Sequence, residues 1–162
     1  MTATDWIERL CLEPHPEGGY YKRTYCSEEV FLGNIEQDPF PAGRPHSTAI
    51  FYLMEVGDFA GFHRIKSDEL WHFHEGKQLE LYILRSPDRL ELIRMGKGDA
   101  LQAVVPANHW FAAVPARYSD YSLVSCTVSP GFDFRDHEMA SAAELIKQCP
   151  SHAELIRRLC RF

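Results

Sequence analysis

The chain has 162 residues, of which 45% are apolar and 25% are charged, an ordinary composition for a single globular domain over residues 1–162. Its net charge of −6 argues against a nucleic-acid partner, and no apolar run is long enough to predict a membrane span. The five cysteines form no CxxC pair, which argues against a zinc knuckle or a disulfide framework and favours a reducing, cytoplasmic location.

The first predicted element is a short helix at residues 4–10, for which Thr4 can act as the cap. Two prolines and two glycines then interrupt regular structure in residues 13–19. Aromatic and β-branched residues at 20–26 predict the first strand. The stretch 27–45, with three prolines and two glycines, predicts a long loop.

Short strands separated by turn residues follow the loop, at intervals of about 8–12 residues. We predict them at residues 46–54, 59–65, 69–74, 79–84, 90–95, 101–105, 109–114 and 121–129. This spacing, without strand–helix alternation, predicts an all-β sandwich or barrel. The segment that follows, residues 129–132, is expected to be a turn that closes the end of the barrel and takes no part in chemistry.

The C-terminal segment changes to a helical pattern. Ser141 with Glu144, and Ser151 with Glu154, have the spacing of capping boxes, and each pattern is followed by Leu-Ile. They predict two short helices within residues 141–161. Because neither helix could bury its apolar face alone, we expect the pair to cover the β-structure.

Residues 61–76 concentrate the side chains that bind metals or move protons near neutral pH. Alternate side chains of a strand share a face, so Glu69 is expected to point into the barrel, and His72 and His74 to point out of it. Burial would raise the pKa of an unpaired Glu69. His63 is expected on the adjacent strand of the same hairpin, where it would face Glu69 as an acid–base pair or half of a metal site.

The spacing of glycine, histidine, glutamate and glycine in residues 61–76 resembles the first motif of the cupin superfamily. In metal-binding cupins this motif and a later one supply four ligands, and the resemblance aligns them with His63, Ile65, Glu69 and Phe111. Ile65 and Phe111 cannot coordinate a metal, and His109 lies two residues out of place. The resemblance therefore implies no metal cofactor, with a divalent metal at His63 and Glu69 as the alternative.

Five ordered motifs resemble the cupin-5 family more closely. They are residues 12–21 (LEPHPEGGYY), 47–50 (STAI), 63–72 (HRIKSDELWH), 105–110 (VPANHW) and 128–133 (VSPGFD). The resemblance covers residues 12–138 and implies an RmlC-like cupin jelly roll, that is, a double-stranded β-helix. It also implies a homodimer with a ligand-sized pocket, but no particular reaction. Strand addition by the N-terminal segment is one way to cover an open sheet edge in such a dimer.

The predicted pocket is lined by histidine, glutamate and aromatic side chains that suit a small organic ligand. They are His63, Glu69, Trp71, Phe73, His109 and Phe111, with Tyr21 and Tyr52 as further ligand-binding candidates. Three functions remain open. The first is a metal-independent isomerase or epimerase of a sugar or nucleotide-sugar-like metabolite, with His63 as the base and Glu69 as its partner. The others are a non-catalytic ligand-binding protein and a metal-dependent enzyme.

Overall fold

The computed structural model describes residues 1–31, 40, 43–118 and 120–162. Within that part of the chain, three α-helices and thirteen strands follow one another in this order: α1 (Ala3–Leu10), β1 (Glu13–Pro14), β2 (Tyr20–Cys26), β3 (Val30–Phe31), β4 (Arg44–Pro45), β5 (Thr48–Glu55), β6 (Ala60–Arg64), β7 (Asp68–Gly76), β8 (Leu79–Ser86), β9 (Arg89–Met95), β10 (Gln102–Val105), β11 (Trp110–Pro115), β12 (Tyr121–Ser129), β13 (Glu138–Met139), α2 (Ala142–Gln148) and α3 (Ala153–Leu159).

Two antiparallel sheets form the body of the molecule. One has the strand order β1-β2-β5-β12-β7-β10, and the other has the order β13-β6-β11-β8-β9. Their inner faces share one apolar core, to which β5, β7 and β12 of the first sheet and β8 and β11 of the second contribute. This arrangement confirms the predicted all-β fold, a cupin jelly roll with a short N-terminal helix and two short C-terminal helices.

The alternation of buried and more exposed side chains along the sequence explains why these segments form strands. In β8, Leu79, Leu81 and Ile83 are fully buried, whereas Glu80 and Tyr82 between them are half-buried on the other face. Each buried aliphatic side chain contributes about 1.5–3 kcal/mol through the removal of apolar surface from water. A one-residue shift in pairing would turn these side chains outward, so the alternation also sets the register of the strand.

Helix α1 packs on the end of the six-stranded sheet, where its apolar residues meet Leu53 and Leu123. Its cap differs from the prediction. Thr2, not Thr4, accepts the backbone N–H of Asp5, and the Asp5 carboxylate accepts the backbone N–H of Thr2. The helix therefore begins at Ala3, and Thr4 lies within its first turn.

The C-terminal helices cover the outer face of the five-stranded sheet, as predicted. Leu145 of α2 and Ile156 of α3 pack there against Phe62 of β6. The predicted capping boxes are wrong, because Ser141 makes no side-chain cap bond and the N-cap of α3 is His152. A 3₁₀ turn that begins at Pro150 takes up the second predicted cap position.

The predicted loop at residues 27–45 contains β3 and β4, which pair with each other. Residues 32–39 and 41–42 of that stretch lie outside the described residues. No helix in the described part of the chain is long and apolar enough to cross a membrane.

Candidate functional site

A cavity of about 390 Å³ opens between the two sheets. Strands β5, β7 and β12 form one wall, β6 forms the facing wall, and the segments around β1, β2 and residues 132–134 form the mouth. Its lining residues are Glu13, His15, Glu17, Tyr21, Arg23, Thr48, Ile50, His63, Ile65, Glu69, Cys126, Val128, Phe132, Asp133 and Phe134.

Glu17 is the centre of a buried cluster of histidines at this cavity. Its Oε2 atom lies 3.1 Å from His63 Nε2 and 2.9 Å from His137 Nε2. Its Oε1 atom lies 3.7 Å from His15 Nδ1. The four side chains come from three distant parts of the sequence, so the fold and not a local motif creates the cluster.

The loop between β1 and β2 carries Glu17 into the cluster. The next residue, Gly18, has φ +115°, and a Cβ added to it would lie 2.1 Å from both Phe59 O and the Arg161 guanidinium. The backbone carbonyl of Glu17 accepts the N–H of Gly61 at 3.0 Å and Arg161 Nε–H at 2.6 Å. The loop is thus held between β6 and a side chain that follows α3.

His63 and His137 reach Glu17 from β6 and from the residue before β13. Nδ1 of His63 lies 2.7 Å from the carbonyl oxygen of Gly61, which fixes the orientation of the ring. The ring also packs on Phe111, with 4.1 Å between the ring centroids. Pairing of Met139 with His63, through β13 and β6, brings His137 to the same place.

The two carboxyls at the cavity have opposite electrostatic environments. Burial alone would raise the pKa of Glu17, but the three neighbouring histidines hold that pKa at about 2. Burial raises the pKa of Glu69 to about 8, and the negative charge of Glu17 contributes to the same shift. The neighbouring Cys126 thiol and Trp71 indole oppose this shift by less. At neutral pH, Glu17 is therefore ionised and Glu69 carries a proton.

Burial also lowers the pKa values of His63 and His15, and the charge of Glu17 opposes both shifts. Because burial excludes water from these side chains, an ionised group in the cluster is stabilised only by the protein groups next to it.

The predicted His63–Glu69 pair does not form. The carboxylate partner of His63 among the described residues is Glu17. The prediction assumed one hairpin, but β6 belongs to the five-stranded sheet and β7 to the six-stranded sheet. The chain crosses between the sheets at residues 65–67, and His63 and Glu69 lie on facing walls of the cavity.

The predicted ligand-binding side chains are only partly at the cavity. Tyr21 lines it. Four others belong to the packed core instead, because the aromatic side chains fill the interior of the sandwich beyond the cavity; they are Tyr52, Trp71, Phe73 and Phe111. His109 is half-buried on a turn, where its Nδ1 lies 3.0 Å from the carbonyl oxygen of Ala107.

His72 and His74 point away from Glu69, as strand alternation predicts. Nδ1 of His72 lies 3.2 Å from Nε2 of Gln102, and Nε2 of His74 lies 2.8 Å from Oγ of Ser125. Both histidines are on the outer face of the six-stranded sheet and take no part in the cavity.

Sequence reasoning missed Glu17 and His137 as site residues. Glu17 lies in the proline- and glycine-rich stretch 13–19, where the two glycines were the available signal of a special backbone conformation. His137 follows the segment that was expected only to close the barrel. In the structure, Phe132 of that segment and Phe134, two residues beyond it, line the mouth of the cavity.

Glu17, His63 and His137 are the described group of residues whose types and distances are suited to a metal ion. One ligand atom from each lies within 4.8 Å of the other two. The sequence-based alternative places a metal at His63 and Glu69. Glu69 is not in this group, and Glu17 takes its place.

Arg161 is expected to hold the Glu17 loop in place. It donates to the carbonyls of Glu17 and Phe59, each at 2.6 Å, and also pairs with Asp58. A hydrogen bond from a charged group contributes about 1.5–3 kcal/mol. We expect Arg161→Met to speed hydrogen exchange at the Gly61 amide by roughly 10-fold or more, as measured by NMR.

The exposed Arg157 of α3 provides the matched control, and Arg157→Met should leave that exchange rate unchanged. Equal exchange at Gly61 in the Arg161→Met variant and the wild type would show that Arg161 does not hold the loop.

Comparisons with known proteins agree with this fold. Residues 4–140 match the Cupin_5 family, described as Cupin superfamily (DUF985). Uncharacterized protein YML079W of Saccharomyces cerevisiae is 29% identical over 151 residues, which cover 82% of this chain and 72% of that protein. A hypothetical protein from Leishmania major is 33% identical, with a TM-score of 0.88 and 99% of each chain covered. Protein SO0799 from Shewanella oneidensis is 36% identical, with a TM-score of 0.86 and coverage of 99% of this chain and 98% of that one.

Proposed function

This chain belongs to the cupin-5 family of the cupin superfamily, and from that premise we propose that it is an isomerase or epimerase of a sugar or nucleotide-sugar-like metabolite. The observation that carries the proposal is Glu69, a buried carboxyl on the cavity wall with a pKa of about 8. A general acid–base group works best when its pKa lies near the working pH.

Glu69 has the chemistry to move a proton on a carbon next to a carbonyl group. In its ionised form it takes the proton from that carbon, so that the C–H bond breaks and an enediolate forms. The neutral carboxyl then returns the proton to the former carbonyl carbon, while the hydroxyl proton of the enediolate moves to the neighbouring oxygen anion, so that the carbonyl forms on the other carbon and the isomer results. Negative charge develops on the carbonyl oxygen, and His15, which lines the cavity and accepts a hydrogen bond at Nδ1, has an Nε2–H with which to stabilise it.

The cavity suits a substrate of monosaccharide size. Its volume of about 390 Å³ is at the lower end of the roughly 300–1,000 Å³ of small-molecule sites. At the mouth, Phe132 and Phe134 offer aromatic faces on which a sugar ring or a base can stack. Arg23, exposed at the same mouth, offers a guanidinium to a phosphate or carboxylate group.

The sequence-based hypothesis made His63 the base. Both of its ring nitrogens already have protein partners, Nδ1 at the Gly61 carbonyl and Nε2 at Glu17. A substrate would have to displace Glu17 to reach Nε2. Glu69 has no ion-pair partner among the described residues, and we therefore assign the proton transfer to it.

Proton exchange with solvent tests the proposal directly. A panel of aldoses, ketoses, sugar phosphates and nucleotide sugars is incubated with the protein in D₂O, and deuterium beside the carbonyl carbon is followed by NMR. Wild-type exchange should rise with pH through about 8, because the ionised Glu69 is the active base. Glu69→Gln should slow exchange by about 10²–10⁴-fold.

His72→Gln is the matched control, because that side chain lies on the outer face of the same strand, β7. Wild-type exchange in the Glu69→Gln variant would remove Glu69 from the mechanism. Loss of exchange in His63→Asn but not in Glu69→Gln would return the base to His63. Panel members that bind and raise the melting temperature without exchange would favour the non-catalytic alternative.

The homodimer and the cytoplasmic location predicted from the sequence stay predictions, as does the absence of a nucleic-acid partner.

A further inference from the structure

Three donor atoms converge at one wall of the cavity. His63 Nε2 and His137 Nε2 both point at the same oxygen, Oε2 of Glu17, at 3.1 and 2.9 Å. All three side chains are almost fully buried, with exposures between 3 and 7%. Two imidazoles directed at one buried carboxylate oxygen leave little room for water between them.

The hydrogen bonding of His63 shows which of its ring nitrogens carries the proton. Its Nδ1 lies 2.7 Å from the carbonyl oxygen of Gly61, which can only accept a hydrogen bond, so Nδ1 carries the proton. A neutral His63 then presents the lone pair of Nε2 to a lone pair of Glu17. Two lone pairs 3.1 Å apart repel each other unless a cation lies between or beside them.

A metal ion satisfies all three donors at once. We infer that Glu17, His63 and His137 bind one divalent transition-metal ion at the cavity wall. Metal–ligand bonds of about 2.0–2.2 Å separate ligand atoms by about 3 Å at right angles and about 3.4 Å at tetrahedral angles. The distances from Glu17 Oε2 to the two histidines, 3.1 and 2.9 Å, are close to these values. Two histidines and one carboxylate are a ligand set used by zinc and by non-haem iron.

The rest of the environment fits such a site. Glu17 and His63 line the cavity, so a bound ion would keep open positions towards a small molecule. The Gly61 carbonyl holds Nδ1 of His63, as outer hydrogen-bond partners commonly orient metal-bound histidines. His15 lies outside this group of three, and its Nδ1 accepts the backbone N–H of Glu17 at 3.2 Å.

A metal bound here would act as a Lewis acid towards a carbonyl oxygen of a bound substrate. The inference itself depends on the donor atoms and not on the proposed isomerase activity, so the two can fail separately.

The test is a zinc titration of untagged protein that has been stripped with a chelator. Competition with a chromophoric chelator should give one equivalent of Zn²⁺ per chain for the wild type. His137→Gln and Glu17→Gln should each weaken binding by about 100-fold or more, beyond the roughly 10–100-fold effect of losing an outer hydrogen-bond partner. Co²⁺ should give a visible absorption band for the wild type that His137→Gln removes.

The double variant His72→Gln/His74→Gln is the matched control, because it removes two histidines from the outer face of the sheet. It should bind Zn²⁺ as the wild type does. Circular dichroism of each variant confirms folding, and His137→Phe replaces any variant that does not fold. Two results would overturn the inference: less than one equivalent of Zn²⁺ bound by the wild type, or Zn²⁺ binding by the folded His137 variant that equals that of the wild type. The cation shared by Glu17 and the two histidines would then be a proton.

Discussion

Replacing Glu69 with glutamine is expected to stabilise the folded protein at pH 9 by a few kcal/mol, while it slows the proposed reaction. The folded-state pKa of Glu69 is about 8, against an ordinary value of 4.5. Between these two values the unfolded chain loses the proton and the folded chain keeps it. Stability therefore falls as the pH rises from 4.5 towards 8 and reaches its low plateau above 8.

Glutamine keeps the shape of the protonated carboxyl and removes this titration. The groups that face Glu69 are the Cys126 thiol, the Trp71 indole and, across the cavity, the Glu17 carboxylate. Each unit of pKa shift corresponds to about 1.4 kcal/mol, so the gain at pH 9 is on the order of a few kcal/mol. At pH 4, Glu69 of the wild type is mostly protonated in both the folded and the unfolded state. The gain in stability from glutamine should therefore vanish at that pH.

Urea unfolding at pH 4, 7 and 9 measures this difference. Glu55→Gln on β5, a half-buried carboxyl on a strand of the same sheet, is the control and should follow the wild type at each pH. An unchanged pH dependence in Glu69→Gln would mean that Glu69 is ionised in the folded protein at neutral pH.

Gly18→Ala is expected to destabilise the protein by roughly 2–4 kcal/mol and to move Glu17 out of the histidine cluster. With φ +115°, Gly18 has a backbone conformation that side chains rarely adopt, and the new Cβ would meet the Phe59 carbonyl oxygen at 2.1 Å. That oxygen is backbone of the segment leading into β6 and cannot turn aside. The loop must shift instead, and Glu17 shifts with it.

Gly57→Ala separates the steric effect from the conformational cost. Gly57 also has positive φ, +89°, but nothing lies within 4 Å of its Cβ position. It should lose only the conformational part, roughly 1–2 kcal/mol, and should keep the side-chain NMR signals of His63 and His137 unchanged. If Gly18→Ala and Gly57→Ala lower the free energy of unfolding equally and both leave the His63 signals unchanged, the predicted clash at Gly18 is wrong.

Local patterns in the sequence were sufficient for the longer strands and the helices, but not for the two-residue strands β1, β3, β4 and β13. Alternation in β7 correctly directed Glu69 inward and His72 and His74 outward, because the period of a strand depends only on neighbouring residues. Turn residues marked most of the strand ends for the same reason. The caps of the helices were predicted less well, since a proline turn at residue 150 decided where α3 begins.

The site depended on contacts that no local pattern contains. Glu17 and His137 are 120 residues apart in the sequence, and only the pairing of the two-residue strand β13 with β6 brings them together. The crossing between sheets at residues 65–67 likewise separated His63 from Glu69. Both errors arose because strand order within a sheet is a property of the whole chain.

The contact between Arg161 and the Glu17 carbonyl spans 144 residues and has a consequence for biosynthesis. A growing chain can pair its strands as they leave the ribosome, but the loop that carries Glu17 lacks its last hydrogen-bond donor until residue 161 has emerged. We therefore expect a nascent chain to pair its strands before the loop that carries Glu17 is fixed in place.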